Sequence, residues 1–81
     1  METRTFFDVA DKWGGGLELR EITGLSAGFI SSIKTGREPV SGHVHRKLLE
    51  AWGREGYDYA GTEAESQRRM AARAKKSEQA A

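Results

Sequence analysis

The chain has no cysteine, one proline and no long apolar run. Without cysteine, neither a disulfide framework nor a cysteine zinc site can staple the fold, so helix packing has to supply the stability. The same absence suits a cytoplasmic protein. Apolar pairs such as Phe6 with Phe7 and Leu48 with Leu49 fall far short of the ~20 consecutive apolar residues that span a bilayer. The opening Met1, Glu2, Thr3, Arg4 lacks the charged-then-apolar order of a secretory signal. These absences predict a soluble, unexported, cytoplasmic chain with no membrane partner. Net charge is scarce too, with thirteen Lys and Arg against twelve Asp and Glu, giving +1. Dedicated nucleic-acid binders often carry a clear basic excess. The distribution of charge therefore matters more than its sum.

Eighty-one residues accommodate one small core, which buries only about 60% of the surface of the unfolded chain. Thr5 and Asp8 can form an N-cap pair, and Phe6, Val9, Ala10 and Trp13 follow at the i, i+3, i+4, i+7 spacing of one helix face. A helix over residues 6 to 13 is predicted, with Phe6, Val9 and Trp13 in the core beside Leu48 and Trp52. Gly14, Gly15 and Gly16 are expected to end it and let the chain reverse. No strand pattern precedes them and no Gly-Lys-Ser/Thr follows, so they read as a turn and not as a phosphate loop.

A second helix is expected over residues 17 to 23, with Leu19 and Ile22 inward, running into Gly24. Ser26 is a good N-cap for a third helix reaching about residue 35, with Ile30 and Ile33 in the core and Gly36 just past its end. Residues 37 to 40 read as an extended connection, because Pro39 disfavours helix in the residue before it. Ser41 then caps a fourth helix with Val44, Leu48, Ala51 and Trp52 on one face, ended by Gly53. Residues 54 to 61 read as a loop whose Tyr57 and Tyr59 pack on the core. Thr62 with Glu65 repeats the capping signature ahead of a helix over residues 63 to 76, rich in Ala, Glu, Arg and Lys. That helix has almost no apolar stripe, and residues 66 to 81 carry Arg68, Arg69, Arg73, Lys75 and Lys76 against Glu78 alone. The basic run is either a solvated helix face or a contact surface.

Two helices that cross over a short turn need a glycine where the chain reverses and apolar residues on their inner faces. Leu19, Gly24, Leu25, Ile30 and Ile33 occupy those places. Residues 22 to 41, ITGLSAGFISSIKTGREPVS, and residues 42 to 53, GHVHRKLLEAWG, resemble the lambda-repressor-like, or Xre-type, helix-turn-helix regulators of bacteria and phages. The likeness runs over roughly residues 5 to 53. It implies an all-α, compact domain of four to five helices over residues 1 to 61, followed by a polar, partly basic C-terminal helix or tail over residues 62 to 81. Two positions depart from the family's pattern. Arg20 stands where alanine is usual and must lay its stem along the surface with its head in water. Gly16 and Leu17 replace a polar entry to the second helix, so a phosphate contact there would come from backbone N–H groups alone.

By the same resemblance, the third helix lies in the major groove of double-stranded DNA and the chain acts as a repressor-like regulator of transcription. Ser26, Ala27, Gly28, Phe29, Ser31, Ser32 and Thr35 would then face DNA, while Lys34, Arg37, Arg46 and Lys47 would hold phosphates. Phe29 reads equally well as a rim residue or as packing. The serines can donate or accept at bases, and Ala27 and Phe29 can meet thymine methyls. None of these is an arginine–guanine or glutamine–adenine pair, which leaves a share of specificity to DNA shape. The family commonly binds as a homodimer on half-sites about one helical turn apart.

Near-neutral charge and the shortage of strong base readers motivate a rival, in which the scaffold is an adaptor docking on a host protein. A third reading makes the tail helix an architectural binder with little sequence preference. No enzyme activity or cofactor is expected. Ser26, Ser31 and Ser32 lack a Ser–His–Asp/Glu setting. His43 and His45, two apart on a helix, point about 200° away from each other and so do not form a metal pair.

Overall fold

The Thr5 hydroxyl accepts from the Asp8 N–H at 3.0 Å while the Asp8 carboxylate accepts from the Thr5 N–H at 2.9 Å. This closed capping box starts α1 (Phe6–Ala10) at the expected residue. The computed structural model describes residues 3 to 80 of the chain, and the side chains of residues 3 to 76. α1 is followed by α2 (Gly15–Thr23), α3 (Ala27–Lys34), α4 (Gly42–Trp52) and α5 (Tyr59–Ala80). Among the described residues the domain is all-α and compact, and its one departure from helix pairing is an isolated parallel bridge between Arg4 and Tyr57.

The first helix is shorter than its spacing predicts. The Lys12 N–H already bonds to the Val9 carbonyl at 3.1 Å, and the Gly15 N–H to the Lys12 carbonyl at 3.1 Å. Gly15 is seated so closely that an added Cβ would lie 1.6 Å from the Val9 carbonyl oxygen. The chain must therefore reverse before Trp13, which is left fully exposed at the tip of the turn and not in the core. The glycines also do more than stop a helix. Gly14, at φ 78°, is the N-cap of α2, so Gly15 and Gly16 become its first turn.

α3 and α4 begin as expected. Ser26 Oγ accepts from the Phe29 N–H, and Ser41 Oγ accepts from the Val44 N–H. Gly36 and Gly53 lie past their ends with positive φ. The core joins Phe6, Phe7, Val9, Leu19, Ile30, Ile33, Val44, Leu48 and Tyr57, with Ile22, Leu25 and Trp52 at its margin. Phe6 and Phe7 pack edge to face at 5.2 Å, and the Arg4 guanidinium lies 4.4 Å from the Trp52 ring. Ala51, expected on the inner face of α4, is exposed.

α5 starts before the predicted cap. The Asp58 N–H bonds to the Arg4 carbonyl at 2.8 Å, and Asp58 Oδ1 accepts from the Gly61 N–H at 2.8 Å, so Asp58 nucleates the helix. Thr62 is buried inside the first turn, where its hydroxyl donates to the Asp58 carbonyl at 2.8 Å and accepts from the Phe6 N–H at 3.2 Å. With Thr62 so engaged and Glu65 held by Arg68 and Arg69, the expected Thr62–Glu65 box does not form.

His45 is one of the buried polar residues, along with Thr23, Thr62 and Ser66. The Tyr57 hydroxyl lies 2.5 Å from Nδ1, Glu63 bonds to Nε2, and the Tyr59 ring stacks on the imidazole at 4.1 Å. Each ring nitrogen of His45 thus has a polar partner. Burial pushes the Tyr57 phenol up to about 12, and the nearby Glu63 acts in the same direction.

Candidate nucleic-acid interface

The turn between α2 and α3 is built from three local interactions. The buried Thr23 hydroxyl donates to the Leu19 carbonyl at 2.7 Å and accepts from the Leu25 N–H at 3.2 Å. Gly24 takes φ 75° and returns its N–H to the Arg20 carbonyl at 2.8 Å. His43, on α4, donates from Nε2 to the Thr23 carbonyl at 3.1 Å and so ties α4 to the end of α2. Arg20 is exposed, which keeps its charge in water.

α3 is thereby held with Ile30 and Ile33 buried and the opposite face open. Ser26, Ala27, Gly28, Phe29, Ser31, Lys34, Thr35 and Arg37 are exposed, and Ser32 is half-buried. Phe29 retains 39% of its surface, a rim position. The hydroxyls on this face differ in what they offer. Ser32 donates to the Gly28 carbonyl at 3.1 Å and Thr35 to the Ser31 carbonyl at 2.9 Å, so each has spent its proton and offers lone pairs outward. The Ser31 hydroxyl has no intramolecular partner among the described residues and can donate as well as accept. Arg46 is exposed and Lys47 half-buried on α4, which packs on α2.

α5 crosses the end of α3 at Gly36. A Cβ there would lie 2.5 Å from the Arg69 carbonyl oxygen, so the two backbones meet directly. Arg69 fixes the crossing. Its guanidinium donates to the Lys34 carbonyl at 2.8 Å, to Asp11 at 2.7 Å and to Glu65 at 2.6 Å, and lies 4.3 Å from the Phe7 ring. Arg68 also grips Glu65 in a fork. Hydrogen bonds from Arg68 and then Arg69 hold the Glu65 carboxyl down at about 2.

Beside this crossing lies a groove of about 360 Å³, lined by Lys34 and Thr35 from α3 and by Arg68, Arg69, Ala72, Arg73 and Lys76 from α5. Its lining carries five cations and no acid. Sequence reasoning located the basic run without locating its partner helix. The available signal was the i, i+3, i+4, i+7 spacing of Arg69, Ala72, Arg73 and Lys76, which puts them on one helix face. Of the residues expected to hold phosphates, Lys34 lines this groove, while Arg37, Arg46 and Lys47 do not.

Among the described residues, no cluster of His, Asp or Glu could hold a metal ion, and no helix is long and apolar enough to cross a membrane. No family model, curated protein or solved structure matches this chain.

Proposed function

We propose that this chain binds double-stranded DNA as a regulator of transcription, with α2 and α3 acting as a helix-turn-helix of the lambda-repressor-like kind. The observation that carries the reading is the division of α3 into two faces. Ile30 and Ile33 are buried against the core, while the face bearing Ala27, Gly28, Ser31, Lys34 and Thr35 is open and largely polar. An α-helix so presented fits the major groove, where small residues let the backbone approach and hydroxyls meet base edges. Ser26, Phe29 and Ser32 border the same surface, and Arg37 supplies a further exposed cation beyond the end of the helix. The role is binding, with no chemical step.

A second reading rests on Trp13, in the turn before α2, and Leu17, in the first turn of α2, two large apolar side chains that are both exposed. They suit a protein-binding adaptor, whose contact would center on that end of α2.

Selection from a pool of randomised duplexes, followed by salt titration of the selected sequence against an unselected one, tests the first reading. Enrichment of one sequence by about 10³ or more over unselected duplex supports a sequence-specific regulator. Equal binding to both, with a stoichiometric protein partner lost on Trp13→Ala, favours the adaptor.

A further inference from the structure

We propose that the groove between α3 and α5 is a phosphate-backbone site, in which Lys34, Arg73 and Lys76 grip one strand of the duplex that α3 reads. The inference rests on the DNA-binding reading and adds to it a second, sequence-independent contact made by α5.

The charges of the groove divide into two sets. Arg68 and Arg69 share Glu65, and Arg69 also holds Asp11, so these two arginines are committed within the molecule. Lys34, Arg73 and Lys76 form no ion pair among the described residues. Three cations that line one groove and are unpaired among the described residues repel one another, and an anion placed between them relieves that repulsion. Ala72, with a short, uncharged side chain, also lines the groove.

The groove is also held in place. Arg69 bonds to the Lys34 carbonyl and its own carbonyl abuts Gly36, which ties the wall from α5 to the wall from α3. Lys34 and Thr35 belong to both the groove and the open face of α3. The open face of α3 and the groove therefore adjoin at these two residues. Duplex DNA fits better than a lipid surface, because residues 71 to 76 of α5 present only alanines beside their cations and lack the large apolar face that would enter a bilayer.

The test uses the whole chain and a short duplex of mixed sequence, with affinity measured over a series of salt concentrations. On B-form DNA each phosphate contact contributes about 0.9 to the log–log slope, so the double variant Arg73→Gln with Lys76→Gln should flatten the slope by about 1.8. Glutamine keeps the helix propensity, and an unchanged far-ultraviolet circular dichroism spectrum verifies that α5 persists. Lys75→Gln, exposed on α5 outside the groove, should flatten the slope far less per charge removed. An unaltered slope in the double variant, an equal effect per charge from Lys75→Gln, or tighter binding to phosphatidylserine vesicles than to duplex would overturn the inference. Failure of the α3 reading looks different, because the double variant would still flatten the slope while no duplex sequence was preferred. Failure of the groove would leave a preferred sequence bound with the slope intact.

Discussion

The Phe6 backbone N–H donates to the Thr62 hydroxyl across 3.2 Å, joining the first turns of two helices that lie 56 residues apart in the chain. A helix leaves its first four N–H groups without internal partners, and here a side chain from α5 accepts one of them in the core. Thr62→Val keeps the shape and removes the acceptor. Leaving a buried N–H unpaired costs about 1–3 kcal/mol, so the variant should unfold at distinctly lower denaturant with an unchanged slope. Ser66, one turn further along α5, makes the opposite case. Its buried hydroxyl has no partner among the described residues, so Ser66→Ala should leave stability unchanged or raise it. Denaturant titration of both variants checks the pair, and a loss of stability in Ser66→Ala would contradict the account of this end of α5.

Gly24 and Gly36 both take positive φ, yet their surroundings differ. Nothing lies within 4 Å of a Cβ added at Gly24, whereas one added at Gly36 meets the Arg69 carbonyl oxygen at 2.5 Å. Gly24→Ala should therefore cost only the left-handed conformation, about 1–2 kcal/mol. Gly36→Ala adds a backbone collision that no rotamer relieves, and should cost clearly more while loosening α5 from α3. Thermal melts ranking the two variants equally would show that α5 can shift away from Gly36 freely.

Glu65 sets the response to acid. Its carboxyl is held at about 2, against an ordinary value of 4.5, chiefly by hydrogen bonds from Arg68 and then Arg69. The folded value lies below the unfolded one, so between these limits the unfolded chain binds more protons and stability rises with pH. The contribution of Glu65 is present above about 4.5 and is lost as pH falls through about 2. Glu65→Gln should flatten the stability profile in that acid window relative to the parent chain. Parallel curves for the two proteins from pH 5 to pH 2 (about the same span) would mean that the arginines do not favour the ionised carboxyl.

Local signals made most of the helices legible, and tertiary contacts decided the rest. Ser26 and Ser41 marked their helices because a cap is a bond between near neighbours, and Leu19, Ile30, Ile33, Val44 and Leu48 declared the core through spacing alone. Trp13 misled because spacing does not reveal that Gly15 packs on the Val9 carbonyl and turns the chain early. Thr62 misled for the same kind of reason, since its hydroxyl is claimed by Phe6 and Asp58 rather than by its own helix start. Spacing said of His45 only that it makes no metal pair with His43, because its partners Tyr57 and Glu63 come from other parts of the chain. The candidate face of α3 could be written down residue by residue. The groove could not, because five of its seven lining residues belong to a helix tied in place by Arg69 reaching Asp11 and Lys34.

If α3 reads DNA, two of its exposed residues should fail in different ways. Ser31 offers a hydroxyl with both donor and acceptor free, and a hydroxyl bonded to a base edge contributes about 0.5–1.5 kcal/mol for that base alone. Ser31→Ala should therefore weaken the selected duplex by that amount, leave unselected duplex unaffected and keep the salt slope. Lys34 stands at the end of α3 where the groove begins, and a phosphate does not report which base it carries. Lys34→Gln should weaken selected and unselected duplexes alike and flatten the slope by about 0.9. The two variants together separate reading from gripping on a single helix. A change of sequence preference in Lys34→Gln, or equal losses on both duplexes in Ser31→Ala, would reverse the roles assigned to the two positions and turn the face of α3 relative to the DNA.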